Sequence, residues 1–184
     1  MTALRHLADL AGLGAPPFTG AVFAVLWLAP MLACSPLADW LARRVFTDTP
    51  RLGAFRGLKE SHARLIVGIA IAWVLGGFIE ELLLRGVALQ AVAFVTRPAV
   101  GVAGGETLGI LAAAALAYVL HLYQGRRAAF IVSQLSVLFG LLFVISGNNL
   151  WAAILCHGLY DTIAFIRFAT GKSRYSKFDG SSAE

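Results

Sequence analysis

The chain has 184 residues, of which 59% are apolar and only 14% are charged, with a formal net charge of +5. A soluble globular domain is nearer half apolar and a quarter charged, so the composition argues against a water-soluble fold. The basic excess does not indicate a nucleic-acid partner, because of where the basic residues fall.

The N-terminal lead-in, residues 1–17, carries Leu4, Leu7 and Ala11 on one helical face and ends in Pro16-Pro17, which reads as an interfacial helix. Residues 18–38 contain no charge and form the first predicted span. This run starts late and has full span length, so it reads as a retained helix rather than a cleaved signal peptide. Met31-Leu32-Ala33-Cys34 is a poor match to a lipoprotein cleavage box, because Leu32 fits badly. A span needs about 20 apolar residues. The other four are predicted at 65–95, 106–125, 128–146 and 150–168. The second would be about 48 Å long at 1.5 Å per residue, so it must tilt, kink or project from the membrane. Residues 128–160 are uncharged, with a polar break at Ser146-Gly147-Asn148-Asn149. Residues 169–184 read as a polar, mobile tail. The expected fold is all-α: one membrane domain over 1–184, a polytopic bundle of about five transmembrane helices. Cys34 and Cys156 both lie in spans and imply no disulfide framework.

Twelve of the fifteen Lys and Arg lie after the first span, between the third and fourth, and after the fifth. With five spans these regions share one side, so the positive-inside rule puts the N-terminus outside and the C-terminus in the cytoplasm, as in a multi-pass plasma or inner membrane protein. The basic residues are first of all topology anchors and lipid contacts. Arg outnumbers Lys twelve to three, which fits a high-GC genome and hence a prokaryote.

Ionisable residues inside spans are costly and point to function. Glu80, Glu81, Arg85 and Asp161 are such residues, and His121 and His157 join them. Glu81 and Arg85 are i,i+4 and can pair. Glu80 is turned about 100° from Glu81 and need not share that partner. Gly76 and Gly77, one turn earlier, permit a close helix approach. His157 and Asp161 are also i,i+4. Cys156 faces away from its neighbour His157 and is a poor nucleophile candidate. Trp27, Trp40, Trp73 and Trp151 read as packing or interface anchors, and His6 and His62 as surface residues.

The segment Phe78-Ile79-Glu80-Glu81-Leu82-Leu83-Leu84-Arg85-Gly86 resembles the Glu-Glu-x-x-x-Arg motif of the CAAX-protease and bacteriocin-processing family of intramembrane endopeptidases, which includes type 2 CAAX prenyl proteases. His121-Leu122-Tyr123-Gln124-Gly125 resembles its second motif, and His157-Gly158-Leu159-Tyr160-Asp161 its third. Gly147-Asn148-Asn149-Leu150-Trp151 is also family-like. The resemblance covers about residues 65–168. It implies that Glu80 and His121 activate water, while His157 and Asp161 bind the oxyanion or position the substrate carbonyl. It makes Glu81 and Arg85 a structural pair holding the Glu80 helix in register. Ala117 stands where the family usually has Phe, four residues before the motif histidine, which bears on substrate packing. Asp161 replaces the commoner Asn.

The expected substrate is a membrane-associated protein or peptide, with a prenylated one disfavoured in a prokaryote. Glu80, His121, His157 and Asp161 are also competent zinc ligands. A glutamate-dependent, metal-free mechanism is preferred, because no His-Glu-x-x-His run is present. The alternatives are a zinc protease using the same residues and a non-catalytic immunity or scaffold protein. A small transporter has no support from repeat symmetry.

Overall fold

The computed structural model describes residue 9 and residues 11–176. Leu4 and Leu7 of the expected interfacial helix therefore lie outside the described residues. Within residues 11–16 the chain turns rather than spirals, and it docks on the start of the last helix. Leu150 N–H donates to Gly12 O at 3.1 Å. Gly12 has φ +85°, and a Cβ there would sit 2.2 Å from Asn148 O, so no side chain fits this contact.

Helix α1 (Pro17–Val45) opens with proline at its first position and closes with Arg43 and Arg44 in its last turn, both favourable placements. It accommodates Pro30 and Pro36 and runs well past the 18–38 expected, through Asp39 to Val45. A 3₁₀ helix (Gly53–Lys59) follows. Helix α2 (His62–Ala72), capped by the Ser61 side chain, then runs into two π-helical stretches (Trp73–Glu80 and Leu82–Leu89) and on into α3 (Gln90–Leu120). The final pair is α4 (Arg126–Ile145) and α5 (Leu150–Ala169). The described residues contain helices and turns but no strand.

Four continuous helices among the described residues are long and apolar enough to cross a membrane: Pro17–Val45, His62–Leu120, Arg126–Ile145 and Leu150–Ala169. The second is 59 residues long and doubles back at Gly101, whose φ of +76° and ψ of 177° are non-helical. A Cβ at Gly105 would lie 2.9 Å from Ala93 O, and one at Gly109 2.5 Å from Leu89 O. The two arms thus pack backbone to backbone, and Arg97 pairs with Glu106 across the bend at 3.4 Å. This yields the second and third expected spans, but the break is one residue rather than a loop over 96–105. The protein is a multi-pass helical membrane protein.

Helix α5 packs between α1 on one side and α2 with its π continuation on the other, and the returning arm of α3 packs on α4. Asn149 caps α5 by accepting from Trp151 N–H at 3.1 Å, and its amide donates to Pro16 O at 3.1 Å. Gly147 and Asn148 supply the left-handed turn this needs, with φ of +75° and +61°. Three indole N–H groups are satisfied internally: Trp27 by Leu138 O, Trp73 by Thr162 and Trp151 by Leu13 O. Trp40 is exposed beneath the Arg44 guanidinium.

The tail departs from expectation over residues 170–176. Asp39, fully buried in α1, accepts from Arg127 at 2.7 Å and Arg174 at 2.9 Å and pairs with Arg43 at 3.1 Å. Ser176 Oγ donates to Phe168 O, and Lys59 Nζ donates to Ser176 O. One buried carboxylate therefore ties α1, α4 and the segment after α5 together. Burial, with Asp39 beside it, holds the Tyr175 phenol above its ordinary value, so it stays a neutral donor. Residues 177–184 lie outside the described part.

Candidate active site

The consecutive carboxylates Glu80 and Glu81 face different histidines. Glu80 ends the first π-wound stretch and Glu81 joins it to the second, a geometry that occurs mostly as short bulges and frequently at functional sites. Glu80 Oε2 lies 3.9 Å from His121 Nε2. Glu81 Oε1 lies 2.6 Å from His157 Nδ1. The three sequence motifs are thus brought to one place from three helical segments.

His121 does not lie inside a helix, as the expected span 106–125 placed it. It is the C-cap of α3, which ends at Leu120, and a 3₁₀ turn (Leu122–Gln124) leads to Gly125 at φ +93°. Ala117 O accepts from the His121 backbone N–H at 3.1 Å and also from His121 Nδ1 at 2.9 Å. Since a carbonyl only accepts, Nδ1 carries hydrogen, and the Nε2 edge is the one turned toward Glu80. Ala117 is fully buried in the core and does not line the cavity.

His157 is held from three directions. Its Nδ1 donates to Glu81, its Nε2 lies 3.5 Å from Asp161 Oδ2, and its ring stacks on Phe139 of α4 at 4.7 Å between centroids and 21° between planes. Glu81 and Arg85, both fully buried, pair at 3.1 Å. Arg85 Nη2 donates onward to Ser136 Oγ at 2.7 Å and Ser136 O at 2.9 Å. Ser136 and Phe139 are neighbours of these side chains that sequence reasoning missed. They lie on an uncharged helix, and no motif marks them. The Glu81–His157 bond was missed as well, because pairing Glu81 with Arg85 already explained that carboxylate.

The glycines make the approach of the first π stretch to α5 workable. A Cβ at Gly76 would sit 3.0 Å from Asp161 Oδ2 and 3.4 Å from His157 Nε2. One at Gly158 would strike the Trp73 ring at 2.5 Å. Cys156 is buried in the separate α1–α4–α5 core.

A cavity of about 810 Å³ exposes Glu80, His121, His157 and Asp161. Its walls are mostly aliphatic and aromatic, and Phe55 and Leu58 of the 3₁₀ helix contribute at one end. Val67, Ile71 and Leu75, from α2 and its π continuation, line the cavity and are themselves exposed. The four side chains form two carboxylate–imidazole pairs, Glu80 with His121 and Asp161 with His157.

The donor set named for zinc is divided between these two pairs. Among the described residues, no three His, Cys, Asp or Glu side chains gather as a ligand group for a metal ion.

The fold and site define a polytopic membrane protein with an internal carboxylate–histidine centre. The type II CAAX prenyl endopeptidase Rce1-like family matches residues 62–163, more than half of the chain, and the chain belongs to that family. No curated protein and no solved structure matches it.

Proposed function

We propose that the protein is an intramembrane endopeptidase that hydrolyses a peptide bond in a membrane-associated protein or peptide. The observation that carries this reading is the facing of Glu80 and His121 at 3.9 Å inside the cavity. That gap is too wide for a direct hydrogen bond, yet one water at about 2.8 Å from each atom spans it. The water oxygen attacks the scissile carbonyl carbon as Glu80 takes its proton. The carbonyl oxygen becomes an oxyanion, to which His157, doubly protonated, donates from Nε2. Asp161 holds that edge of the ring toward the cavity. When the tetrahedral intermediate collapses, the C–N bond breaks and Glu80 returns the proton to the leaving nitrogen. The products are a carboxylate and an amine.

No metal takes part in this proposal, and the two-by-two pairing of the donors supports that choice. The mostly aliphatic and aromatic walls support a substrate with apolar groups beside the scissile bond. The proposed orientation places the 3₁₀ helix, His121 and the segment after α5 on the cytoplasmic side, following the basic residues. Membrane proteomics of cells with the wild-type protein against cells with Glu80→Gln tests the function. New termini in membrane proteins, present only with the wild type, are expected. Identical termini in both would count against it.

A further inference from the structure

His157 depends on a chain of groups that ends on a different helix from its own. Its Nδ1 lies 2.6 Å from Glu81 Oε1, and that same oxygen accepts from Arg85 Nη1 at 3.1 Å. Arg85 is held in turn by the hydroxyl and carbonyl of Ser136. Glu81, Arg85 and Ser136 are all at least 97% buried. Pairing with Arg85 alone would explain a structural carboxylate, but the shortest contact that Glu81 makes is to the histidine. An acid bonded to the Nδ1–H of a working histidine stabilises its doubly protonated form and fixes the direction of its other nitrogen. Phe139 fixes the plane of the ring from the opposite side.

We infer that Glu81 is a positioning residue for the reaction: anchored by Arg85 and Ser136, it aims His157 Nε2 at the substrate carbonyl. This rests on the role given to His157 in the proposed function. It adds that the second glutamate of the motif acts on turnover and does more than neutralise Arg85.

The geometry provides a clean variant. Oε1 of Glu81 takes both hydrogen bonds, while the buried Oε2 has no hydrogen-bond partner. Glu81→Gln therefore keeps the shape of the side chain but replaces the charged acceptor of the Nδ1–H bond by a weaker, neutral one. It also strands the Arg85 charge, which lowers stability. Adding Arg85→Met removes the stranded charge and relieves that loss. The two roles then separate. If Glu81 only balances Arg85, the double variant regains both melting temperature and turnover. If Glu81 positions His157, it regains melting temperature alone.

The measurement is kcat and KM per folded molecule in detergent, with an internally quenched peptide chosen from a library for turnover by the wild-type protein. For both Glu81→Gln and the double variant, kcat is expected to fall about ten- to a hundredfold with KM within about twofold. Either variant decides the matter if the other does not fold. If neither folds, Ser136→Ala, which removes the hydroxyl holding Arg85 and leaves only the Ser136 carbonyl, is expected to lower kcat with KM unchanged. Wild-type kcat in the folded variants overturns the inference. Failure of the underlying function looks different: Glu80→Gln would then cleave the peptide as the wild type does.

Discussion

His121 turns its Nε2 atom toward Glu80 at 3.9 Å because its Nδ1 atom is occupied by the Ala117 carbonyl at 2.9 Å. The helix end thereby selects the ring edge that faces the carboxylate. Losing a positioned acid–base partner typically costs about a hundredfold or more in rate. His121→Ala is expected to lower kcat by about that factor while leaving the protein folded, since the side chain lies at a helix end. Turnover within threefold of wild type, by the same quenched-peptide assay, would remove His121 from the water site.

Gly76 separates activity from stability. An added Cβ meets the end of the Asp161 side chain and the edge of His157, neither of which is backbone. Gly76→Ala is therefore expected to cost only about 1 kcal/mol of stability, yet to lower kcat about tenfold or more by pushing the pair aside. Gly158→Ala meets the rigid Trp73 ring instead, and is expected to cost about 1–3 kcal/mol. Thermal unfolding beside activity distinguishes the two. Wild-type kcat in Gly76→Ala would show that the gap between the first π stretch and α5 does not set the site.

Most of the site was legible in the sequence because intramembrane charge is rare and stands out. Glu80, Glu81, Arg85, His121, His157 and Asp161 were all named, and the structure brings them together. Ser136 and Phe139 were not legible, since a serine and a phenylalanine on an apolar helix carry no signal of their own. The spans were found by hydropathy, but that measure does not register that Arg97 and Pro98 stay helical until Gly101. Nor does polarity reveal that residues 170–176 are tied down, because the tie is a long-range bond from Arg174 to Asp39.

That tie has a measurable consequence. Asp39→Ala strands Arg127, which is mostly buried, and releases the half-exposed Arg43 and Arg174. Breaking a fully buried pair costs about 3–5 kcal/mol, and solvent screening of the exposed partners reduces this to about 2–3 kcal/mol. Melting should fall by about 5–10 °C, and limited proteolysis should cut between residues 170 and 176. An unchanged cleavage pattern would mean that Asp39 does not hold the segment.

Orientation can be read at Thr49, which is exposed between α1 and the 3₁₀ helix. Thr49→Cys, in a protein with Cys34 and Cys156 replaced by alanine, should resist an impermeant thiol reagent in intact cells and react after permeabilisation. Ready labelling of intact cells would reverse the orientation and put the cavity mouth on the other side.

The metal-free mechanism predicts active protein with far less than one equivalent of zinc, and activity that survives chelation. Elemental analysis belongs beside the chelation, since a buried ion can resist removal. Near-stoichiometric zinc, with activity lost on stripping and restored on return, would recast Glu80, His121, His157 and Asp161 as ligands around an open water site.

The central claim is that the Glu80 carboxylate takes the proton of the attacking water. Glu80→Gln keeps the size and shape of the side chain and removes only that capacity. The direct measurement is cleavage of the quenched peptide by purified, folded Glu80→Gln protein against wild type. Unchanged melting temperature with turnover reduced at least a hundredfold is the expected result. Wild-type turnover in the folded variant would contradict it.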